Sequence, residues 1–191
     1  MLWTEKTEKA LNMAAVLHDG QYRKGKERLP FITHPIAVAN IVSQYTDDED
    51  VIAAALLHDA LEDTHYTYSE MAKAFGKRVA DIVLGVSIPE AIEADGHSWA
   101  KDRTRYCENL KKAPLESAMV AAADKMHNFS SILEEYASDP KRFRKDFDGT
   151  AEDRVHVYGA IVEVLVERIP KQFADELSKI WEPYRAFVAP L

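Results

Sequence analysis

The 191-residue chain has a single cysteine, Cys107, so no disulfide can form within it and a disulfide-stapled scaffold is excluded. Glycine and proline are scarce, at 7 and 8 copies, which excludes collagen-like and linker-rich architectures. Basic residues are outnumbered, with 24 Lys and Arg against 32 Asp and Glu and a formal net charge of -8. A broad face for a nucleic-acid polymer needs the opposite balance, so no such partner is expected; a small phosphorylated ligand needs only a local basic patch. No apolar run has the length to span a bilayer. The opening MLWTEKTEKA puts charges where a secretory signal needs an apolar core. A cytoplasmic protein with no membrane partner is therefore expected, and a homo-oligomer is compatible with these features.

What the chain has in quantity is Ala, Leu, Glu and Lys, which favour helices. No alternating strand pattern competes with them. The expected fold is all-α, an irregular multi-helix bundle in one domain over 1–191. Its core motifs span about 14–132, with C-terminal helices over 133–191 packing on them. The spacing predicts a first helix over Glu5 to His18 and a basic loop, QYRKGKERLP, after Gly20. A second helix should have Pro35 in its first position, with His34 just before it. The acids of Asp47–Asp50 suit the start of a third, VIAAALLHDALEDT, apolar almost all round and so read as the central buried helix. Thr67 and Glu70 form a capping-box pattern, Gly76 is a stop, and another helix covers Lys77 to Val86. The stretch from Ser87 to Ser98 reads as a mobile loop, a candidate cover for a substrate. Helices over Trp99–Lys111 and Leu115–Tyr136 follow, then a short basic turn or helix from Pro140 to Phe147. Thr150 and Asp153 approximate a capping pair, and Pro170 opens a last helix that Pro183 should interrupt.

Chemistry concentrates in His58-Asp59-Ala60-Leu61-Glu62-Asp63. On an unbroken helix this string puts an imidazole and three carboxylates on one side, among alanines and leucines. Burying such charges costs several kcal/mol each unless something pairs with them, and a divalent cation would do so. A solvated helix end is the bland alternative, but acids near a helix C-terminus oppose its dipole. A second cluster, VAAADKMHNFSSIL, places Asp124 and Asn128 one turn apart among small residues. His34 is the third piece. Together His34, His58, Asp59 and Asp124 supply two imidazoles and two carboxylates, a set suited to Mn²⁺, Fe²⁺ or Zn²⁺ with positions left for water and a phosphate oxygen. Glu62 and Asp63, outside that set, are candidates for holding the water and moving its proton. Arg23, Lys24, Lys26 and Arg28 lie in the loop leading to His34, where cations serve a phosphate best. Lys101, Arg103 and Arg105, and the group Lys141, Arg142, Arg144 and Lys145, read as solvated helix faces. His18, His65, His97, His127 and His156 have no partner assignable from the sequence.

Four ordered segments, GQYRKGKERLPFITHPIAVA, AAALLHDALEDT, FGKRVADIVLGVS and ADKMHNF, resemble the HD-superfamily hydrolases of the RelA/SpoT type over about Ala14 to Ile132. The resemblance implies removal of the 3′-diphosphate from guanosine tetra- and pentaphosphate alarmones with Mn²⁺ as cofactor. It implies His34, His58, Asp59 and Asp124 as metal ligands and Glu62 and Asp63 as the water-activating pair. It also implies Arg23 and Lys24 against the base or phosphates and Asn128 near the ribose. In layout the chain looks like the stand-alone metazoan form rather than the long bifunctional enzymes. Where those enzymes usually read Lys-Leu-Ala-Asp-Arg-Leu-His-Asn, this chain has Ala121, Ala122, Lys125 and Met126 at the differing positions. The expected function is thus hydrolysis of an alarmone or a related 3′-phosphorylated nucleotide. Two alternatives stand beside it: a phosphatase for another small phosphate, such as the 2′-phosphate of NADPH or a nucleoside monophosphate, and a non-catalytic nucleotide-binding regulator.

Overall fold

The helix-start signals in the sequence are used as hydrogen-bonding caps. In the computed structural model, which describes residues 3–25, 27–88 and 99–191, Thr4 opens α1 (Glu5–Leu17) and Asp48 opens α3 (Glu49–Leu56) with side-chain caps. Thr67 accepts from the Glu70 amide while Glu70 accepts from the Thr67 amide at 2.9 Å, closing the capping box of α5 (Tyr68–Phe75). Thr150 and Asp153 do the same for α10 (Ala151–Arg168). Gly76, at φ +95°, makes the turn from α5 into α6 (Lys77–Val86), a conformation that strains any side-chain-bearing residue.

Two of these helices form the centre. Every residue of α3 from Val51 onward is buried, and it packs on α1, α2 (Thr33–Val42), α6 and α8 (Leu115–Tyr136). Alanines 53–55 on α3 and 121–123 on α8 are fully or almost fully buried, and their small side chains let neighbouring helices approach closely. Gly85 of α6 does the same against α8, where a Cβ would collide with Ser117. On α8, Phe129 meets Tyr158 of the C-terminal α10 and Trp181 and Tyr184 of α11 (Lys171–Val188), while α7 (Trp99–Lys112) lies on α10. A short α9 (Pro140–Asp146) links α8 to α10. No strand occurs among the described residues beyond an isolated bridge between Tyr22 and Pro30, and no described helix is long and apolar enough to cross a membrane.

Three expectations are corrected. The helix expected to run unbroken through His58 and Asp59 ends at Leu56, and a separate single turn, α4 (Ala60–Asp63), follows. The His58 ring donates from Nδ1 to the Ala55 carbonyl at 2.8 Å, the acceptor an uninterrupted helix offers to the amide of residue 59. Pro183 does not interrupt α11, which continues from Lys171 to Val188. The proline forfeits one backbone hydrogen bond, but Trp181, Tyr184 and Val188 on either side of it are buried and hold the helix on course. Finally, α2 starts at Thr33, so His34 sits inside its first turn rather than before it. Of the expected 87–98 loop only Ser87 and Ile88 are described; the remainder, like Lys26 of the basic loop, lies outside the described residues.

Candidate active site

The break between α3 and α4 decides where the His-Asp pair points. It turns the His58 and Asp59 side chains toward the first turn of α2 and the middle of α8, which contribute His34 and Asp124. His34 and His58 are buried, with their Nε2 atoms 3.2 Å apart. Asp59 Oδ2 lies 3.2 Å from His58 Nε2 and 3.5 Å from His34 Nε2. Asp124 Oδ1 lies 3.1 Å from His34 Nε2 and 3.8 Å from His58 Nε2. The four residues expected from the sequence to act together are therefore in one cluster; His34, His58 and Asp59 can each offer a ligand atom within 4.8 Å of the others.

The chemistry of this donor set fits a divalent cation. His58 Nδ1–H is spent on a backbone carbonyl, so its Nε2 is left facing the carboxylates. His34 likewise has its Nδ1 turned away, 2.8 Å from Nδ1 of His127. Two imidazole nitrogens and two carboxylate oxygens then converge, and Asp124 is held from its other side by Lys125 and Asn128. Burial lowers His58, but Asp59 and Asp124 outweigh it and raise it well above the usual histidine range. Burial raises Asp59, but His58 and His34 outweigh it and hold it at about 2. Asp124 lies well below the usual carboxylate range: burial opposes ionisation, and the Lys125 ammonium and both histidines overcome it. A mixed nitrogen and oxygen set of this kind suits a transition-metal dication better than a structural zinc.

A cavity of about 220 Å³ opens over the cluster. Glu62 and Asp63 stand at its mouth on α4. Glu62 keeps exposed surface, yet crowding by the protein and the nearby Asp59 charge push its carboxyl up to about 7, and its Oε1 accepts from the Ile88 amide at 2.7 Å. Desolvation and Asp59 raise Asp63 as well. Arg23 reaches in from the basic loop, which is tied back on itself by the Arg23 amide donating to Leu29 O at 2.9 Å. Arg23 Nη2 donates to Asn128 Oδ1 at 2.8 Å, and Asn128 in turn donates to Asp124, so the loop is linked directly to the cluster.

A second cavity of about 260 Å³ adjoins the first and shares Arg103, Lys125, Asn128 and Tyr158 with it. Lys24 lines this second space and not the first, its Nζ donating to Asp146 O at 2.6 Å over the Phe147 ring. Arg28 is stacked on Tyr22 at 4.1 Å and lines neither cavity.

Arg103 corrects the reading of its group as a solvated face, since it lines both cavities. It lies three and four residues before the buried Tyr106 and Cys107, on the inward face of α7, a spacing that could have marked it. Lys125 was also missed. It is buried, ion-pairs with Asp124 and sits 5.1 Å over the Tyr106 ring; a lysine inside an alanine-rich run was its signal. His127, without a visible partner in the sequence, touches His34. Lys141, Arg144 and Lys145 are exposed as expected, whereas Arg142 pairs with Glu135 at 2.5 Å.

Comparison with known proteins places the chain among relatives of one family. The family model described as the HD domain matches residues 10–149. A guanosine-3′,5′-bis(diphosphate) 3′-pyrophosphohydrolase of Haemophilus influenzae is 33% identical over 175 residues, covering 88% of this chain and 24% of that protein. The guanosine-3′,5′-bis(diphosphate) 3′-pyrophosphohydrolase MESH1 of Xenopus tropicalis is 36% identical over 126 residues, 64% of this chain and 67% of that one. The chain thus spans a quarter or less of the bacterial relatives and about two thirds of the frog protein. The solved structure of a metazoan ortholog of SpoT, described as hydrolysing ppGpp, superposes with a TM-score of 0.78 over 96% of this chain and 97% of that one. At 24% identity that likeness is one of fold.

Proposed function

The chain belongs to the HD-domain family, and on that premise we propose that it is a Mn²⁺-dependent hydrolase that removes the 3′-diphosphate of guanosine tetra- and pentaphosphate. The observation that supports this most is the convergence of His34, His58, Asp59 and Asp124 at the floor of a cavity whose walls carry Arg23, Arg103 and Lys125. These four residues would hold the cation. When bound, it would acidify a water and offset charge on the phosphoryl oxygens.

The protein's own groups supply the rest. Glu62, at about 7, is poised to accept a proton from water near neutral pH, with Asp63 beside it to orient that water. Water attacks the phosphorus bonded to the 3′-oxygen, the P–O3′ bond breaks, pyrophosphate leaves, and the 3′-oxygen takes up a proton. Arg23, Arg103 and Lys125 would neutralise the diphosphate. Asn128, shared by the two cavities, would hold the ribose between them, and Lys24 would meet the nucleoside from the second.

The test is pyrophosphate release from ppGpp by full-length protein, with Mn²⁺ and with chelator, for wild type and Asp59→Ala. Release that needs the metal and is lost in the variant is the expected result. Metal-loaded wild type that releases nothing from any 3′-phosphorylated nucleotide would overturn the proposal. Release of phosphate from NADPH or a nucleoside monophosphate instead would select the other phosphatase reading.

A further inference from the structure

His127 belongs neither to the four-residue cluster nor to the cavity wall, yet its Nδ1 lies 2.8 Å from Nδ1 of His34, and the two rings are tilted by 35° with centroids 4.9 Å apart. Two ring nitrogens at that distance share one proton, so one donates and the other accepts. Which does which follows from Ser131, one turn further along α8. The Ser131 hydroxyl donates to the His127 carbonyl at 2.7 Å, because a carbonyl can only accept. Its one proton is thereby spent, and toward His127 Nε2, at 3.5 Å, it presents a lone pair. A proton on His127 Nε2 would meet that lone pair and leave His127 Nδ1 bare. His34 would then carry its proton on Nδ1, with its Nε2 lone pair aimed at Asp59, Asp124 and His58.

We propose that His127 is a positioning residue: with Ser131 it sets the proton order that makes His34 Nε2 a ready electron-pair donor to a divalent cation. The proposal rests on the reading of the four-residue cluster as a cation site. For His58 the same task falls to a backbone carbonyl, that of Ala55, which cannot be removed by a side-chain change. On the His34 side the task is entrusted to side chains, so that half of the site can be detuned by substitution without touching a ligand.

Two measurements test this. The first is Mn²⁺ affinity of full-length protein, read as loss of the free-Mn²⁺ electron paramagnetic resonance signal during titration. His127→Phe keeps a ring but has no acceptor, and should weaken binding by roughly 10- to 100-fold, the usual cost of losing an outer-shell partner. His127→Asn can place its amide oxygen where Nδ1 was and should restore binding to within about threefold of wild type. Ser131→Ala should cost less than His127→Phe. Equal Mn²⁺ affinity in wild type and a folded His127→Phe would overturn the proposal. The second measurement is the long-range proton–nitrogen correlation spectrum of metal-free wild type, which needs no variant to fold. A proton on Nε2 of His127 and on Nδ1 of His34 is expected, and the reverse arrangement would overturn the proposal. Wild type that binds no divalent cation would instead refute the cation-site reading, and the spectrum would still report the proton order.

Discussion

The two adjoining cavities handle charge in opposite ways. In the first, two imidazoles and two carboxylates converge, and their charges are satisfied largely by one another. In the second, two of the cations are held by backbone carbonyls. Lys24 is held by the Asp146 carbonyl, and Arg154 donates to the Asp148 carbonyl beneath Trp99, 4.8 Å from its ring. A site with mutually dependent charges gains most from an incoming ion, whereas a wall of carbonyl-held cations and rings adds contact area and orientation. Substitutions in the first cavity should therefore act on rate, and substitutions confined to the second on affinity.

The largest effect should come from Asp59→Ala. Losing several kcal/mol of charge stabilisation, about 4 kcal/mol, corresponds to roughly 10³-fold in pyrophosphate release, and Mn²⁺ binding should fall with it. Glu62→Gln should slow turnover on the order of 10²-fold while Mn²⁺ affinity stays within a few-fold, separating proton transfer from metal holding. The next contrast is between neighbours in the basic loop. Arg23→Ala breaks the link through Asn128 to Asp124 and should cost about 1.5 kcal/mol, roughly tenfold in kcat/KM. Lys24→Ala touches only the second cavity and should raise KM by about threefold with kcat unchanged. Equal losses of kcat in these two variants would erase the division between the cavities.

A smaller effect concerns stability of the metal-free protein. Glu62 has its carboxyl raised from the ordinary 4.5 to about 7, so the folded state binds that proton more tightly than the unfolded chain. The stability this confers is complete below about 4.5 and lost as pH rises through about 7. Glu62→Gln should therefore raise the melting temperature at pH 8, with the gain vanishing toward pH 4, by calorimetry on chelated samples. Smallest of all, Arg78→Ala removes an exposed ion-pair network with Asp48, Asp50 and Glu116 and should cost about 1 kcal/mol or less in urea unfolding, with turnover untouched.

Most of the helical framework was legible in the sequence because its signals are local. A capping pair such as Thr67 and Glu70, or a positive-φ glycine such as Gly76, acts within one turn of chain. The grouping of His34, His58, Asp59 and Asp124 was legible for another reason: charged side chains embedded in apolar helices announce that they need partners. The break at His58 was hidden, because it depends on a ring turning back to Ala55, and periodicity does not report ring orientation.

By itself, then, the sequence determined which segments are helices, that α3 is buried, and which side chains could not stay unpaired in such a core. The tertiary structure decided the partners. It brought Arg103 from a face read as solvated into the cavity, split the basic loop so that Arg23 and Lys24 serve different spaces, and set His127 behind His34. Helix formation answers to neighbours three and four residues away, whereas a site assembled from α2, the α3–α4 turn, α7 and α8 depends on the angles at which distant segments pack.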